Sequence, residues 1–287
     1  QPMPKVGLGE VLVKVKAAGI NPVDWKVMSG GLDPVMTVQF PAAPGWDVAG
    51  VVVGKGFDTP SVSEGDEVIA YARKDWIHGG TFAQYVSVPV RALAPKPKSL
   101  SWEQAGGLPL AGLTAYQVLT RLGLAEGKTV LIHAASGGVG SMGVQIAKAF
   151  GARVIGTAST KNHDYVRELG AEPVEYGDGL VERVKELAPN GVDIVVDFVG
   201  GVVEDSVAVL ADGGQHASIA DPEVEEHGGS YMWVSPDAEQ LTELGRLADD
   251  GKLTVRVDRT FPLAQLPDAF TASQEGHAVG KIVLTVD

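Results

Sequence analysis

TVLIHAASGGVGSMGVQIAKAFG, residues Thr129 to Gly151, reads as a strand, a glycine turn and a helix, and the rest of the chain is organised around it. Thr129 to Ala134 are mostly β-branched or apolar, the composition of a parallel strand covered on both faces. A glycine cluster, Gly137, Gly138, Gly140 and Gly143, follows at once. Val144, Ile146, Ala147 and Phe150 then supply apolar positions around a helix, with Lys148 free to point outward and Gly151 ending it. Gly138, Gly140 and Gly143 fit G-x-G-x-x-G. In that pattern the first glycine makes a tight turn, the second lets backbone approach a pyrophosphate, and the third lets the helix lie close to the sheet. The turn residues Gly137, Gly138, Val139 and Gly140 would then offer free N–H groups to the phosphates. Glycine supplies 37 of the 287 residues, so three at a chosen spacing carry little weight without the strand and helix that flank them.

Outward from this stretch, strands and helices alternate. Strands are expected at Arg153 to Thr157, near Pro173 to Tyr176, at Val192 to Val196, at Gln215 to Ile219 and near Tyr231 to Val234. Helices are expected at Asn162 to Leu169, Leu180 to Ala188, Val202 to Leu210 and Asp237 to Asp250. That is a Rossmann-like, doubly wound parallel sheet of about six strands in an α/β protein. Upstream the character is different. Glu10 to Ala17 alternate with Val11, Val13 and Val15 on one face, and Val48 to Lys55, Glu67 to Tyr71 and Phe82 to Val88 are further short strands between Gly/Pro turns. They indicate a β-rich, barrel-like domain, with Arg73 to Gly80 as a flexible loop and Ala72 to Gly80 as a candidate lid. Ser101 and Gln104 form a capping box for a helix through Ala105, and Leu113 to Gly123 is a second helix. After Gly251-Lys252, the strand-like Thr254 to Val257, a helix near Leu263 to Ser273 and the strand Gly280 to Val286 return to the β-rich part. The expected domains are therefore 1–105, 106–252 with the nucleotide site, and 253–287 rejoining the first. Such an insertion is expected to leave a cleft near the carboxyl ends of the parallel strands.

Acidic residues outnumber basic ones 36 to 23, a formal net charge of −13 that argues against nucleic-acid or anionic-membrane partners. Cysteine is absent, which excludes disulfides, thiolate zinc sites and cysteine nucleophiles. No run of about 18 apolar residues is present and no basic-then-apolar signal opens the chain. A soluble, cytoplasmic protein is the default expectation. The chain enters a strong strand early and without an initiating methionine, as if an N-terminal piece were lost.

The second strand of the parallel sheet selects the dinucleotide. A carboxylate about 20 positions beyond the first glycine accepts hydrogen bonds from the adenosine ribose in NAD-binding sites. Here the region reads Gly156-Thr157-Ala158-Ser159-Thr160-Lys161-Asn162, with no carboxylate before Asp164. The hydroxyl of Ser159 and the ammonium of Lys161 suit a 2′-phosphate, so NADPH is the expected cofactor. In the β-rich part, Asn21-Pro22-Val23-Asp24-Trp25-Lys26 follows the first strand. The proline ring bars Asn21 from helical geometry and opens a short helix carrying Asp24 and Lys26.

These motifs together resemble the zinc-independent quinone oxidoreductases and enone reductases of the medium-chain dehydrogenase/reductase superfamily. The matching pieces are Gly9 to Val13, Gly19 to Asp24, Pro44-Gly45 with Asp47 to Gly50, Gly65 to Val68, Gly80 to Tyr85, Ala134 to Gly140, Leu169 to Ala171 and Gly280 to Val283. The resemblance implies a GroES-like barrel for the β-rich domain and a family strand pair preceding Gln1. In the zinc-dependent relatives a cysteine stands at the place of Asn21 and a His-Glu pair at Trp46-Asp47, so no metal is expected here. The resemblance places Asn21 near the nicotinamide ribose or the substrate carbonyl, Thr114 by the nicotinamide amide, Tyr176 beside the adenosine phosphates, and Phe198-Val199 against the nicotinamide ribose. The plainer alternatives are Asn21 as a helix cap, Thr114 bonding back to its own helix, Tyr176 as a strand residue and Phe198 as core. Lys26, where many quinone oxidoreductases have tyrosine, resembles the enone-reducing branch.

The implied chemistry is hydride transfer from NADPH to the β-carbon of an α,β-unsaturated ketone, or to a quinone. Asn21, Asp24 and Lys26 are the catalytic candidates, Asp24 holding the Lys26 ammonium in place. Negative charge would develop on oxygen near Lys26 and Asn21, with a proton from water. Reduction of an acyl or polyketide thioester, and NADPH binding without turnover, are the alternatives. A homodimer joined along Tyr231 to Val234, an edge of the parallel sheet, is expected from the fold.

Overall fold

The computed structural model describes residues 2–287, which divide into two compact units: the chain up to Leu113 together with Ser235–Asp287, and Thr114–Val234. The first unit opens with β1 (Glu10–Ile20), α1 (Pro22–Met28), β2 (Thr37–Ala43), β3 (Asp47–Lys55), β4 (Glu67–Tyr71), β5 (Trp76–Gly79), β6 (Tyr85–Pro89) and β7 (Leu93–Pro95). Next come α2 (Trp102–Gly107) and α3 (Pro109–Arg121), the helix in which the unit ends. β1 organises this unit because its side chains alternate. Val11, Val13 and Val15 are completely buried, each contributing roughly 1.5–3 kcal/mol of transfer free energy, while Lys14 and Lys16 sit on the other face. From Ala17 onward both faces are buried, since α2 covers the second one. Gly19 permits that approach: a Cβ there would lie 2.7 Å from the Gly106 carbonyl oxygen and 2.8 Å from Asp47 Oδ2. α2 starts at the expected capping box, with Gln104 N–H donating to Ser101 Oγ (3.3 Å) and Ser101 N–H to Gln104 Oε1 (3.0 Å).

The second unit contains β8 (Thr129–Ile132), α4 (Gly138–Ala149), β9 (Arg153–Thr157), α5 (His163–Glu168), β10 (Glu172–Val174), α6 (Leu180–Leu187), β11 (Val192–Asp197), α7 (Val203–Ala208), β12 (Leu210–Ser218) and β13 (Ser230–Tyr231). Among the described residues its sheet has six strands in the order β10-β9-β8-β11-β12-β13, every pair parallel. This is the order of a Rossmann sheet, in which β8 and β9 are followed by crossovers to one side and β11 begins the other. Leu131, Ile155, Val192 and Val195 are buried in the sheet, as the near-continuous apolar runs of the sequence require.

The chain then returns through α8 (Ala238–Asp249), β14 (Val257–Pro262), α9 (Leu266–Gln274) and β15 (Lys281–Thr285). The sheet of the first unit runs β14-β15-β1-β3-β4-β7, with β6 also paired to β1. Domain boundaries expected at residues 105 and 252 compare with unit divisions after Leu113 and Val234. The difference on the C-terminal side is α8, which packs on β7 and whose Asp249 accepts the Ser99 N–H at 2.8 Å. Two local expectations are corrected. Arg73 to Gly80 is not a free loop: Trp76–Gly79 is β5, paired in parallel with β2. The strand expected at Thr254 to Val257 begins only at Val257. Both errors fall on short segments whose pairing partner is distant in sequence. Among the described residues no helix is long and apolar enough to cross a membrane.

Candidate functional site

In the second unit, β8 closes at Ile132 and the chain reverses at Ala134, whose φ of 54° lies in the left-handed region usually reserved for glycine. The tight turn expected of Gly138 is thus made by Ala134, because the reversal comes at the strand end, ahead of the glycines. Ala134 is held there from two sides. Its N–H donates to Thr157 Oγ1 (3.0 Å) and its carbonyl accepts the Gly137 N–H (2.9 Å). Gly140 lies directly against that carbonyl, and a Cβ at Gly140 would overlap its oxygen. A Cβ at Gly143 would meet the Phe198 ring at 3.3 Å, so the third glycine does let α4 close on the sheet side. No side chain caps α4, and Gly137, Gly138 and Val139 are partly exposed at its start. An uncapped helix start, made of residues without bulk, fits the pyrophosphate of a dinucleotide.

Around the end of β9, Lys161 is exposed in the 3-10 turn Thr160–Asn162 that Ser159 opens, and Asn162 Nδ2 donates to Ser136 Oγ (3.3 Å). A carboxylate does stand here. Glu175, just past β10, accepts from Thr160 Oγ1 at 2.8 Å. Reading along one strand missed it because β10 pairs with β9 in register, Val174 opposite Thr157, and so delivers a residue from far down the chain. Tyr176, next to it, is 58% exposed and outside the strand. Phe198 is half-buried and Val199 exposed; the turn they occupy is set by Asp197, which accepts the Val199 and Gly200 N–H groups (2.8 and 2.9 Å) and the Ser218 hydroxyl (2.7 Å). Thr114 is buried on α3. His133 is a buried residue of the second unit: its Nε2 lies 3.2 Å from Ser206 Oγ, and burial holds its pKa down at about 4, leaving it neutral near pH 7.

In the first unit, Asn21 precedes α1 in extended geometry (φ −128°, ψ 148°), as its place before Pro22 requires. Its backbone N–H donates to Asp24 Oδ2 (2.7 Å), but its own side chain points elsewhere. Asn21 Nδ2 donates to Asp47 Oδ2 (2.8 Å), with the Gly19 carbonyl at 3.4 Å, and Asn21 Oδ1 accepts from Lys281 Nζ. Lys281 also donates to the Ile20 carbonyl (2.9 Å) and faces Asp47 across 3.9 Å. Asp47 Oδ1 accepts the Leu110 N–H (2.7 Å) at the start of α3. Asn21, Asp24, Asp47 and Lys281 are all buried. Asn21 and Asp24 lie together, whereas Lys26 does not join them. Lys26 is exposed, its ammonium 5.8 Å from the Trp25 ring, and Asp24 is turned inward to the Asn21 N–H instead of holding it. Two-residue spacing on a helix puts side chains on different sides, which is why that pairing fails. Asp47 and Lys281 enter the sequence reading only inside matching motifs, at Trp46-Asp47 and Gly280 to Val283, and not as partners of Asn21. The one signal was a lysine opening the run Lys281-Ile282-Val283-Leu284, where a buried strand needs a carboxylate partner.

Burial dominates the electrostatics of this cluster. It pushes Asp24 up to about 8 against the Asn21 N–H bond, with the Asp47 charge adding to the rise. It pushes Asp47 up to about 6 against the opposing Lys281 charge and the Asn21 and Leu110 bonds, and it lowers Lys281. Between an ordinary value of 3.8 and about 8 the folded chain keeps an Asp24 proton that the unfolded chain has lost, so this group's contribution to stability is full below that window and falls as pH rises through it. Asn at position 24 keeps the acceptor for the Asn21 N–H without the titration. Asp24→Asn should raise Tm by several degrees at pH 8 and by much less at pH 4.5. A Tm difference that does not change with pH would show that Asp24 is not held protonated.

A family model described as "Alcohol dehydrogenase GroES-like domain" matches residues 7–98, and one described as "Zinc-binding dehydrogenase" matches residues 169–284. An NADPH-dependent alkenal/one oxidoreductase of Arabidopsis thaliana, described as chloroplastic, is 36% identical over 291 residues, covering 98% of this chain and 73% of the relative. A mitochondrial NAD(P)H oxidoreductase of Homo sapiens is 34% identical, covering 96% and 82%. Among solved structures, the quinone oxidoreductase from Coxiella burnetii superposes with a TM-score of 0.87 at 33% identity, covering 100% of this chain and 93% of that one. The zinc of the second family description finds no ligand set: the sequence has no cysteine, and among the described residues no three His, Asp or Glu side chains are grouped to hold a metal. The cytoplasmic default is overturned by the curated relatives, several of which are described as chloroplastic or mitochondrial proteins. Composition and the absence of a spanning segment describe the folded chain and do not carry its address.

Proposed function

The chain belongs to the zinc-independent quinone and enone reductase group of the medium-chain dehydrogenase/reductase superfamily, and from that premise we propose that it reduces a quinone or an α,β-unsaturated carbonyl with NADPH. When bound, NADPH supplies the hydride. The observation that carries this reading is the uncapped start of α4 beneath the Ala134 turn, with glycine where a Cβ would block it. Gly138, Val139 and Gly140 present backbone N–H groups to the pyrophosphate, while Gly137 shapes the turn, its own N–H being taken by the Ala134 carbonyl. Ser159 and Lys161 take the 2′-phosphate, and Tyr176 the adenosine side. Phe198, Val199 and Thr114 serve the nicotinamide end. Lys26, exposed and cationic, stabilises charge developing on the acceptor oxygen, and water supplies the proton that completes the product. Asn21 and Asp24 belong to the buried cluster beside it in sequence. An anaerobic panel of quinones, enones and aldehydes, followed by NADPH oxidation, tests the substrate class. Lys26→Ala should lower kcat/KM for enones by about ten- to a hundredfold, the worth of a charge-assisted hydrogen bond, without weakening NADPH. Turnover unchanged in that variant would remove the lysine from this role.

Lys161→Ala should weaken NADPH by one to two decades, from roughly 1.5–3 kcal/mol lost, and leave NADH nearly unaffected. Equal losses for both cofactors in a fluorescence titration would sink the assignment. The homodimer is proposed on the sheet edge expected at Tyr231 to Val234, where the strand, β13, is shorter than expected and covers only Ser230–Tyr231 at one end of the six-stranded sheet. Sedimentation velocity finding only a monomer would remove it.

A further inference from the structure

Hydrogen-bonding chemistry fixes which way round the Asn21 carboxamide sits. The Lys281 ammonium can only donate, so the atom facing it must be Oδ1, and the Asp47 carboxylate can only accept, so the atom facing it must be Nδ2. From this geometry we infer that Asp47 and Lys281 are positioning residues that lock Asn21 in one orientation and leave it a single free valence, the second lone pair of Oδ1. One Nδ2 proton goes to Asp47 at 2.8 Å and the other is aimed at the Gly19 carbonyl at 3.4 Å. The group Asn21 serves is then a hydrogen-bond donor on the ligand, a hydroxyl, and not the acceptor's carbonyl oxygen. This deepens the proposed function and rests on it for the ligand, though the lock itself does not.

The lock is built in from three directions. Lys281 is tied to β1 through the Ile20 carbonyl, and Asp47 is tied to the start of α3 through the Leu110 N–H, so neither partner can turn away. The absence of a side chain at Gly19 is what lets Asp47 Oδ2 reach this spot, since a Cβ there would lie 2.8 Å from it. The titratable groups acting around Asp47 are Lys281 on β15, Asp24 on α1 and Tyr71 on β4. Protonating Asp47 would let its oxygen donate as well as accept and so release the constraint on Asn21.

The test uses the full chain with Asp47→Asn, Lys281→Met and the double variant, which removes both charges together and guards against a fold that fails for want of a counter-charge. In the wild type the Asn21 side-chain amide, assigned by its loss in Asn21→Ser, should give one sharp, slowly exchanging pair of 15N-coupled protons. In the variants that pair should broaden or shift. The folded double variant should lose kcat by at least about tenfold and bind NADPH several-fold more weakly, because the hydroxyl that Asn21 serves is the cofactor's, a quinone or enone having none. Wild-type kcat should also fall below about pH 6, and that acid limb should be missing in Asp47→Asn. An unchanged amide signal in the variants, or full kcat in a folded double variant, would overturn the inference. A wild type with a locked amide that turns over no acceptor would overturn the proposed function alone.

Discussion

Gly140→Val weakens NADPH binding by at least about a hundredfold, or roughly 2.8 kcal/mol, and lowers Tm as well. The expectation follows from backbone geometry. The new Cβ meets the carbonyl oxygen of Ala134 and, at 2.9 Å, Ala135 Cα, so nothing flexible can move aside. Ala134 already sits in left-handed geometry, secured by Thr157, and any shift of its carbonyl displaces the turn that the start of α4 shares. Overpacking of this kind costs about 1–3 kcal/mol in stability before any effect on the ligand. Gly143→Ala is the control. Its tightest contact is the edge of the Phe198 ring at 3.3 Å, which the ring relieves by a few tenths of an ångström, and Ile132 and Ala115 stay at ordinary contact distance, so its effect on NADPH should be several-fold at most. Equal losses in the two variants would mean that general loosening of α4, and not the turn, governs the cofactor.

Asp47→Ala has the largest expected effect on stability. It leaves the Lys281 ammonium buried without a counter-charge, the Asn21 amide without its acceptor, and the Leu110 N–H unpaired at the head of α3. Breaking a buried pair from one side costs about 3–5 kcal/mol. At roughly 2–4 °C per kcal/mol for a domain of 150–250 residues, Tm should drop by on the order of 10 °C. Asp47→Asn also removes the counter-charge but still accepts from Leu110, so its loss should be smaller than that of the alanine variant without vanishing. Calorimetry finding the alanine variant as stable as the wild type would show that Asp47 is not the counter-charge for Lys281.

Much of the fold was legible because it is written in local pattern. Val11, Val13 and Val15 announce a half-buried strand, Ser101 and Gln104 announce a helix start, and Arg153 to Thr157 is a strand with the bounds expected. The glycine turn was legible in kind but not in detail, since nothing in alanine's usual behaviour points to Ala134 as the residue that takes the strained conformation. Long-range side-chain pairing was not legible. Lys281 meets Asn21 across 260 positions, and Glu175 reaches Thr160 only because two strands register side by side. An aromatic side chain can line a cleft for a flat ligand or fill a core, and Trp46 and Tyr71 do the second, buried against one another with ring centroids 6.1 Å apart in the first unit. Aromatic content alone does not distinguish the two uses.

The central chemical claim is that this chain passes a hydride from NADPH to an electron-poor acceptor without a metal. Mass spectrometry of enone products formed with NADPH deuterated at C4, each of the two faces in turn, tests it most directly, with chelator present throughout. One deuterium at the β-carbon of the saturated ketone, delivered from one face only, is the predicted result. NADPH bound at the glycine turn, with no deuterium in any product and no oxidation by any quinone, would contradict it.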